Sequence, residues 1–241
     1  MERVRVESIE SQDGGQFDGH VVLPAMGHGP GVLLIGEIFG VNEYVKDVAE
    51  RLALLGYVVL APDVFWRQQP GFQLDSSDPA NIEPAAAVAG TWDPELGLTD
   101  LAAALLHLEG LPEVTGAIGV VGFCFGGTQA FRLARLLNPS CVVSYYGSGV
   151  FDMLYDLHEI SCPTMLHFGD EDPFIPIEKV NAIRTAVDHN HHVVLHVHEG
   201  GGHAFDNSFA PHFSQPEIAS KAWIETASFL YMHLGGPGIG A

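Results

Sequence analysis

Six short apolar runs, Gly31 to Ile35, Tyr57 to Ala61, Ile118 to Val121, Cys141 to Tyr146, Thr164 to Phe168 and Val193 to Val197, recur along the chain with helical patterns between them. Apolar runs of this length, with little polar alternation, suit strands buried on both faces, the condition inside a parallel sheet covered by helices. The intervening segments carry helix signals. Asn42 can cap a helix with Val45, Val48, Ala49, Leu52 and Leu55 on one face and Gly56 as its stop. Asp93, followed by Pro94 and Glu95, starts another, and further helices read from Gly126, Ile177 and Pro216. The pattern predicts an α/β fold: a mostly parallel sheet flanked by helices on both faces, with functional residues just after the carboxyl ends of strands.

At 241 residues the chain is long enough for one large core, and a single domain over 1–234 is expected. Residues 64–92, rich in Pro, Gln, Asp and Ala, interrupt the rhythm and read as an excursion over one end of the sheet, part of a lid near the active site. The glycine-rich 235–241 reads as a disordered tail. A formal charge of −20 disfavours binding to nucleic acid or to an anionic membrane, so neither is an expected partner. Three scattered cysteines, Cys124, Cys141 and Cys162, form no disulfide framework, and the N-terminal stretch has no apolar segment of the signal-peptide kind. The expectation is a cytoplasmic protein, a monomer or small homo-oligomer, with no cofactor and no metal.

The chemistry concentrates after three of the runs. Gly122-Phe123-Cys124-Phe125-Gly126-Gly127 leads from the run ending at Val121 into a helical pattern. This is a nucleophile elbow with cysteine at its apex, where flanking glycines permit a sharp strand-to-helix turn and the helix start favours thiolate. An acid and then a histidine should follow in that order, each after a later strand. Asp172 lies in the loop after Phe168, with Asp170 as a competitor that reads better as a turn former, and His203 follows three glycines after Val197. Glu37, just after the run ending at Ile35, is costly unless it has partners. The backbone N–H groups of Ile38 and Phe125 fall where an oxyanion hole is built.

The chain resembles the dienelactone hydrolase family over nearly its whole length: DGGQFDGHVVLP near the start, GEIFGVN at 36–42, LAPDVFWRQQPG at 60–71, VVGFCFGG, YYGSGV at 145–150, the Asp172 loop and GGGHAF. The resemblance implies an α/β-hydrolase fold and hydrolysis of a small ester or lactone. It also implies a Cys124, His203 and Asp172 triad, with Glu37 contacting the cysteine and helping to control its proton. Family members that act on dienelactone hold the substrate carboxylate with two arginines. The matching positions here are Ile82 and Asn207, so a neutral substrate is expected, since neither side chain replaces a bidentate arginine. Arg67 is a candidate anion-binding group or a surface ion-pair partner, and Phe39 and Tyr145 are candidate pocket-lining or core aromatics.

Other readings stay open. If 191–198 is a strand, His192, His196 and His198 share a face and form a possible metal-ligand set. The fold could also serve as a binding or redox-sensing module through Cys124. A general carboxylesterase or thioesterase-like acyl hydrolase is the nearest enzymatic alternative.

Overall fold

The computed structural model describes residues 2–236, so most of the tail expected at 235–241 lies outside the described residues. Eight strands form one sheet: β1 (Val4–Glu10), β2 (Gln16–Val22), β3 (Gly29–Ile35), β4 (Val58–Pro62), β5 (Val114–Phe123), β6 (Cys141–Tyr145), β7 (Thr164–Gly169) and β8 (Val193–His198). Their spatial order is β1-β2-β4-β3-β5-β6-β7-β8. The first two junctions are antiparallel, and every pairing from β4 to β8 is parallel. Each of the six apolar runs is one of the six parallel strands. Their burial explains their legibility: β3, β4, β6 and β7 are buried along their whole lengths.

The helices are α1 (Glu43–Leu54), α2 (Ile82–Ala89), α3 (Pro94–Gly110), α4 (Phe125–Leu137), α5 (Ile177–Val187) and α6 (Pro216–Leu234). Asn42 caps α1, its side chain accepting from Val45 N at 3.2 Å. Asp93 caps α3, accepting from Glu95 N at 2.9 Å and Leu96 N at 3.0 Å ahead of Pro94. Helices cover both faces. Gly31, paired with Ile118, looks onto Leu108 of α3, whereas Gly119, the next residue and so on the opposite face, looks onto Leu234 of α6.

Two differences from the sequence reading have physical reasons. β1 and β2 extend the sheet beyond β4 as an antiparallel ribbon, and β1 alternates exposed with less exposed residues. Such a half-solvated strand lacks the continuous apolar run that marked the others. The 64–92 excursion contains α2, whose Ala85 is its one buried residue. Among the described residues no helix is long and apolar enough to cross a membrane.

Candidate active site

The connection that leaves β3 goes to β4 on one side, and the next returns to β5 on the other, so the crevice beyond the carboxyl ends of β3 and β5 is a topological switch point. Glu37 follows β3 and Cys124 follows β5. Cys124 sits between β5 and α4 with φ 52° and ψ −110°, a conformation that costs a non-glycine residue about 1–3 kcal/mol. Close packing enforces the turn. A Cβ on Gly122 would stand 2.0 Å from the Gly126 carbonyl oxygen, and one on Gly126 would stand 2.1 Å from that of Ile35. Gly126 N donates to Gly36 O at 3.0 Å, which ties the elbow to the loop that carries Glu37 and Ile38.

Cys124, His203 and Asp172 come together. His203 Nε2 lies 3.2 Å from Cys124 Sγ, and Nδ1 lies 2.7 Å from Asp172 Oδ2. The other Asp172 oxygen accepts from Phe174 N at 2.8 Å and Ile175 N at 3.1 Å, which fixes the carboxylate. Asp170 does what a turn former does, accepting from Gly200 N at 2.7 Å. Burial opposes charge on His203, yet the Cys124 sulfur and the Asp172 carboxylate outweigh it and raise its pKa above the ordinary value.

Glu37 is buried in the same cavity but does not bond to the cysteine. Its Oε2 accepts from Asn207 Nδ2 at 2.8 Å, and its Oε1 has no hydrogen-bond partner among the described residues. Burial pushes the carboxyl up to about 7, against the opposing pull of Asn207 and of His203. Because that value lies above the ordinary 4.5, the folded protein holds a proton that the unfolded chain releases as pH rises from 4.5 to about 7, and stability falls across this window. Glu37→Gln is therefore expected to be the more stable protein at pH 8 by about 3 kcal/mol, with the advantage vanishing towards pH 4.5. Urea unfolding of both proteins at several pH values measures this, and a gap independent of pH contradicts it.

Glu37, Cys124 and His203 open into a cavity of about 240 Å³. Its other walls are chiefly Ile38, Phe39, Ile82, Ala86, Phe174 and Phe213, so α2 closes one side with Ile82 and Ala86. Among the described residues no lysine or arginine lines it. A larger groove of about 780 Å³ runs beside β1 and β2, but it is lined by mixed charges and holds none of these groups. The two N–H groups expected to hold an oxyanion, those of Ile38 and Phe125, take no part in the turn hydrogen bonds of the described residues. Phe125 begins α4, where no intrahelical acceptor exists for it.

Three candidate substrate-contacting positions lie away from the cavity, and Tyr145 and Arg67 follow the core and ion-pair alternatives given for them. Tyr145 does not line the cavity: it is wholly buried, stacks on Phe123 with ring centres 4.5 Å apart and bonds Thr226 at 2.6 Å. Arg67 is committed elsewhere, to Asp100 at 2.7 Å and Asp13 at 2.7 Å, over the Trp66 ring. Asn207 is fully buried and holds Glu37 rather than facing the cavity. The histidine set also differs. His192 is an exposed turn residue before β8, and the group that gathers is His167, His198 and Glu225.

Other residues around the site escaped the sequence reading. Phe174 adjoins the Asp172 loop and Ser148 lies in the YYGSGV stretch, so both were within legible motifs without being singled out, but Phe213 carried no signal. Behind Glu37 lies a buried relay in which Tyr44 OH donates to Asp206 Oδ2 at 2.8 Å and stands 3.5 Å from Tyr146 OH. Asp206 is gripped by Arg51 at 2.9 and 3.2 Å.

The sequence model of the dienelactone hydrolase family matches residues 17–234. The chain belongs to the dienelactone hydrolase family. A relative in this family, the carboxymethylenebutenolidase of Pseudomonas sp. (strain P51), is 35% identical over 92% of this chain and 93% of its own length. Carboxymethylenebutenolidase 1 of Cupriavidus pinatubonensis is 32% identical over 92% of this chain and 95% of its own. In fold, a dienelactone hydrolase-like promiscuous phosphotriesterase from metagenomic libraries superimposes with a TM-score of 0.79 at 23% identity, covering 97% of this chain and all of the other.

Proposed function

We propose that this family member hydrolyses a small, uncharged ester or lactone through a thioester on Cys124. The observation that carries this reading is the contact chain from Asp172 through His203 to Cys124 Sγ, opening into an apolar cavity without a cation. His203, oriented by Asp172, takes the thiol proton, and Sγ attacks the carbonyl carbon of the substrate. The oxyanion is held by the N–H groups of Ile38 and Phe125. The C–O bond then breaks and His203 Nε2 returns its proton to the leaving alkoxide. Water, activated by His203, attacks the thioester, and the thiolate departs as the acid is released. Glu37 stands beside these steps, and an ionised product next to its carboxylate would be repelled from the cavity.

The related carboxymethylenebutenolidases are named for a substrate that carries a carboxymethylene group. The present cavity offers no arginine to such a group, because Ile82 lines it and Asn207 is spent on Glu37. A volume of about 240 Å³ also favours small substrates. A neutral five-membered lactone and a small neutral aryl ester are therefore expected to give kcat/KM at least tenfold above that of a carboxylated dienelactone. Preference for the carboxylated compound would overturn the neutral-substrate reading, and inertness to all three would overturn the hydrolase reading. A cysteine nucleophile also suits a reducing compartment, which supports a cytoplasmic setting, as do three free thiols.

A further inference from the structure

On the side of the sheet covered by α6, three imidazoles and a carboxylate converge away from the cavity. His167 pairs with His196 across β7 and β8, so His167, His196 and His198 share one face. Glu225 of α6 reaches down onto them. His167 Nδ1 and His198 Nε2 are 3.0 Å apart, and Glu225 Oε2 lies 3.7 Å from the first and 3.9 Å from the second. His196 Nδ1 is 3.3 Å from the same oxygen. Yet this Glu225 oxygen is buried without a hydrogen-bond partner among the described residues. An unsatisfied carboxylate oxygen among imidazoles is costly unless something else binds there.

We infer that His167 Nδ1, His198 Nε2 and Glu225 Oε2 form a divalent transition-metal site, with zinc as the fitting ion, that fastens α6 to β7 and β8. The three atoms are the corners of a triangle with sides of 3.0, 3.7 and 3.9 Å, whose circumcentre lies about 2.1 Å from each. Zinc bonds to imidazole nitrogen and carboxylate oxygen are about 2.0–2.2 Å. The ring centres of His167 and His198 are 5.2 Å apart. Two imidazoles on one tetrahedral zinc also place their centres about 5.2 Å apart. Turning the rings in place opens the two nitrogens towards tetrahedral spacing and exchanges their mutual hydrogen bond for bonds to the ion, while Glu225 Oε2 closes on them by a few tenths of an ångström.

The surroundings supply what such a site needs. His167 Nε2 lies 3.1 Å from Thr226 Oγ1, and donation to that hydroxyl leaves Nδ1 as the free lone pair. His196 is placed to hold the Glu225 carboxylate from the outside. The Glu225 side chain is 24% exposed, which gives an ion and its remaining water ligand a way in. Lys221, whose charge acts on His198 from the same helix, is the opposing cation.

The test uses the full-length chain as Cys124→Ser, so that zinc on the active-site thiol cannot mimic the result, stripped with chelator and titrated calorimetrically with zinc chloride. One zinc per chain and a rise in Tm on adding zinc are expected. Glu225→Gln in the same background should weaken binding more than a hundredfold, and His196→Gln about 10–100-fold, as for a group that holds a ligand. Lys221→Gln should tighten it. Absence of zinc binding in Cys124→Ser, or unchanged affinity in a Glu225→Gln protein with a native circular-dichroism spectrum, would overturn the site.

Discussion

With Cys124 as the proposed nucleophile, Cys124→Ala is expected to lower kcat on the best ester or lactone by about 10⁵–10⁶-fold, since groups that act as one unit lose nearly the whole effect when one of them goes. The fold should survive the change. Alanine occupies the same strained backbone position, the cysteine side chain makes no capping hydrogen bond to α4, and among the described residues its one side-chain hydrogen-bond contact is with His203. Tm should therefore move by only a few degrees, so loss of rate cannot be assigned to unfolding. His203 should respond as well. Once the sulfur that helps to raise its pKa is gone, the imidazole retains only Asp172 against the penalty of burial, and its titration followed by NMR should move downward. A variant within tenfold of the wild-type rate would remove Cys124 from the chemistry, and a native-like His203 titration in the same variant would remove the ionic coupling.

What the sequence showed and what it hid divide along a physical line. The central strands were legible because burial on both faces writes a continuous apolar run, and the elbow was legible because its glycines are forced by carbonyl oxygens about 2 Å from any added Cβ. Caps such as Asn42 and Asp93 act within three residues of themselves, so they too read locally. The order Cys124, Asp172, His203 was readable because each residue follows its own strand. The partner of Glu37 was not, because Asn207 lies 170 positions away and nothing near either residue specifies the pairing. Tyr145 was left between cavity and core for a related reason. A strand-end aromatic can face the cavity or the core, and here the Thr226 hydroxyl on α6 anchors it in the core. The histidines of β8 gave half of their cluster, while the other half comes from β7 and α6, which only the packed fold brings near.

Arg51→Ala is expected to destabilise the protein by about 3–5 kcal/mol, because it strands a buried carboxylate. Asp206 is 2% exposed, and its two oxygens are held by the two arms of the Arg51 guanidinium. Burial alone pushes the Asp206 pKa up, and Arg51 is the main force that draws it back. Tyr44 would remain as a donor, but one neutral hydroxyl does not replace a cation. The same change uncovers the Trp223 ring, over which the guanidinium sits at 3.8 Å. For a chain of this size the loss corresponds to a Tm about 6–20 °C lower. Two controls separate the mechanism from a simple loss of packing. Arg51→Lys keeps the charge but not the fork and should fall between the two proteins. Adding Asp206→Asn to Arg51→Ala should recover part of the loss, because it removes the stranded charge. The deficit should also shrink as pH falls, since a proton on Asp206 removes the penalty that Arg51 had offset. Denaturant unfolding of the four proteins at neutral and acidic pH decides the matter: a deficit below about 1 kcal/mol, or one that the second substitution deepens, would mean that the pair contributes no more than a surface bridge.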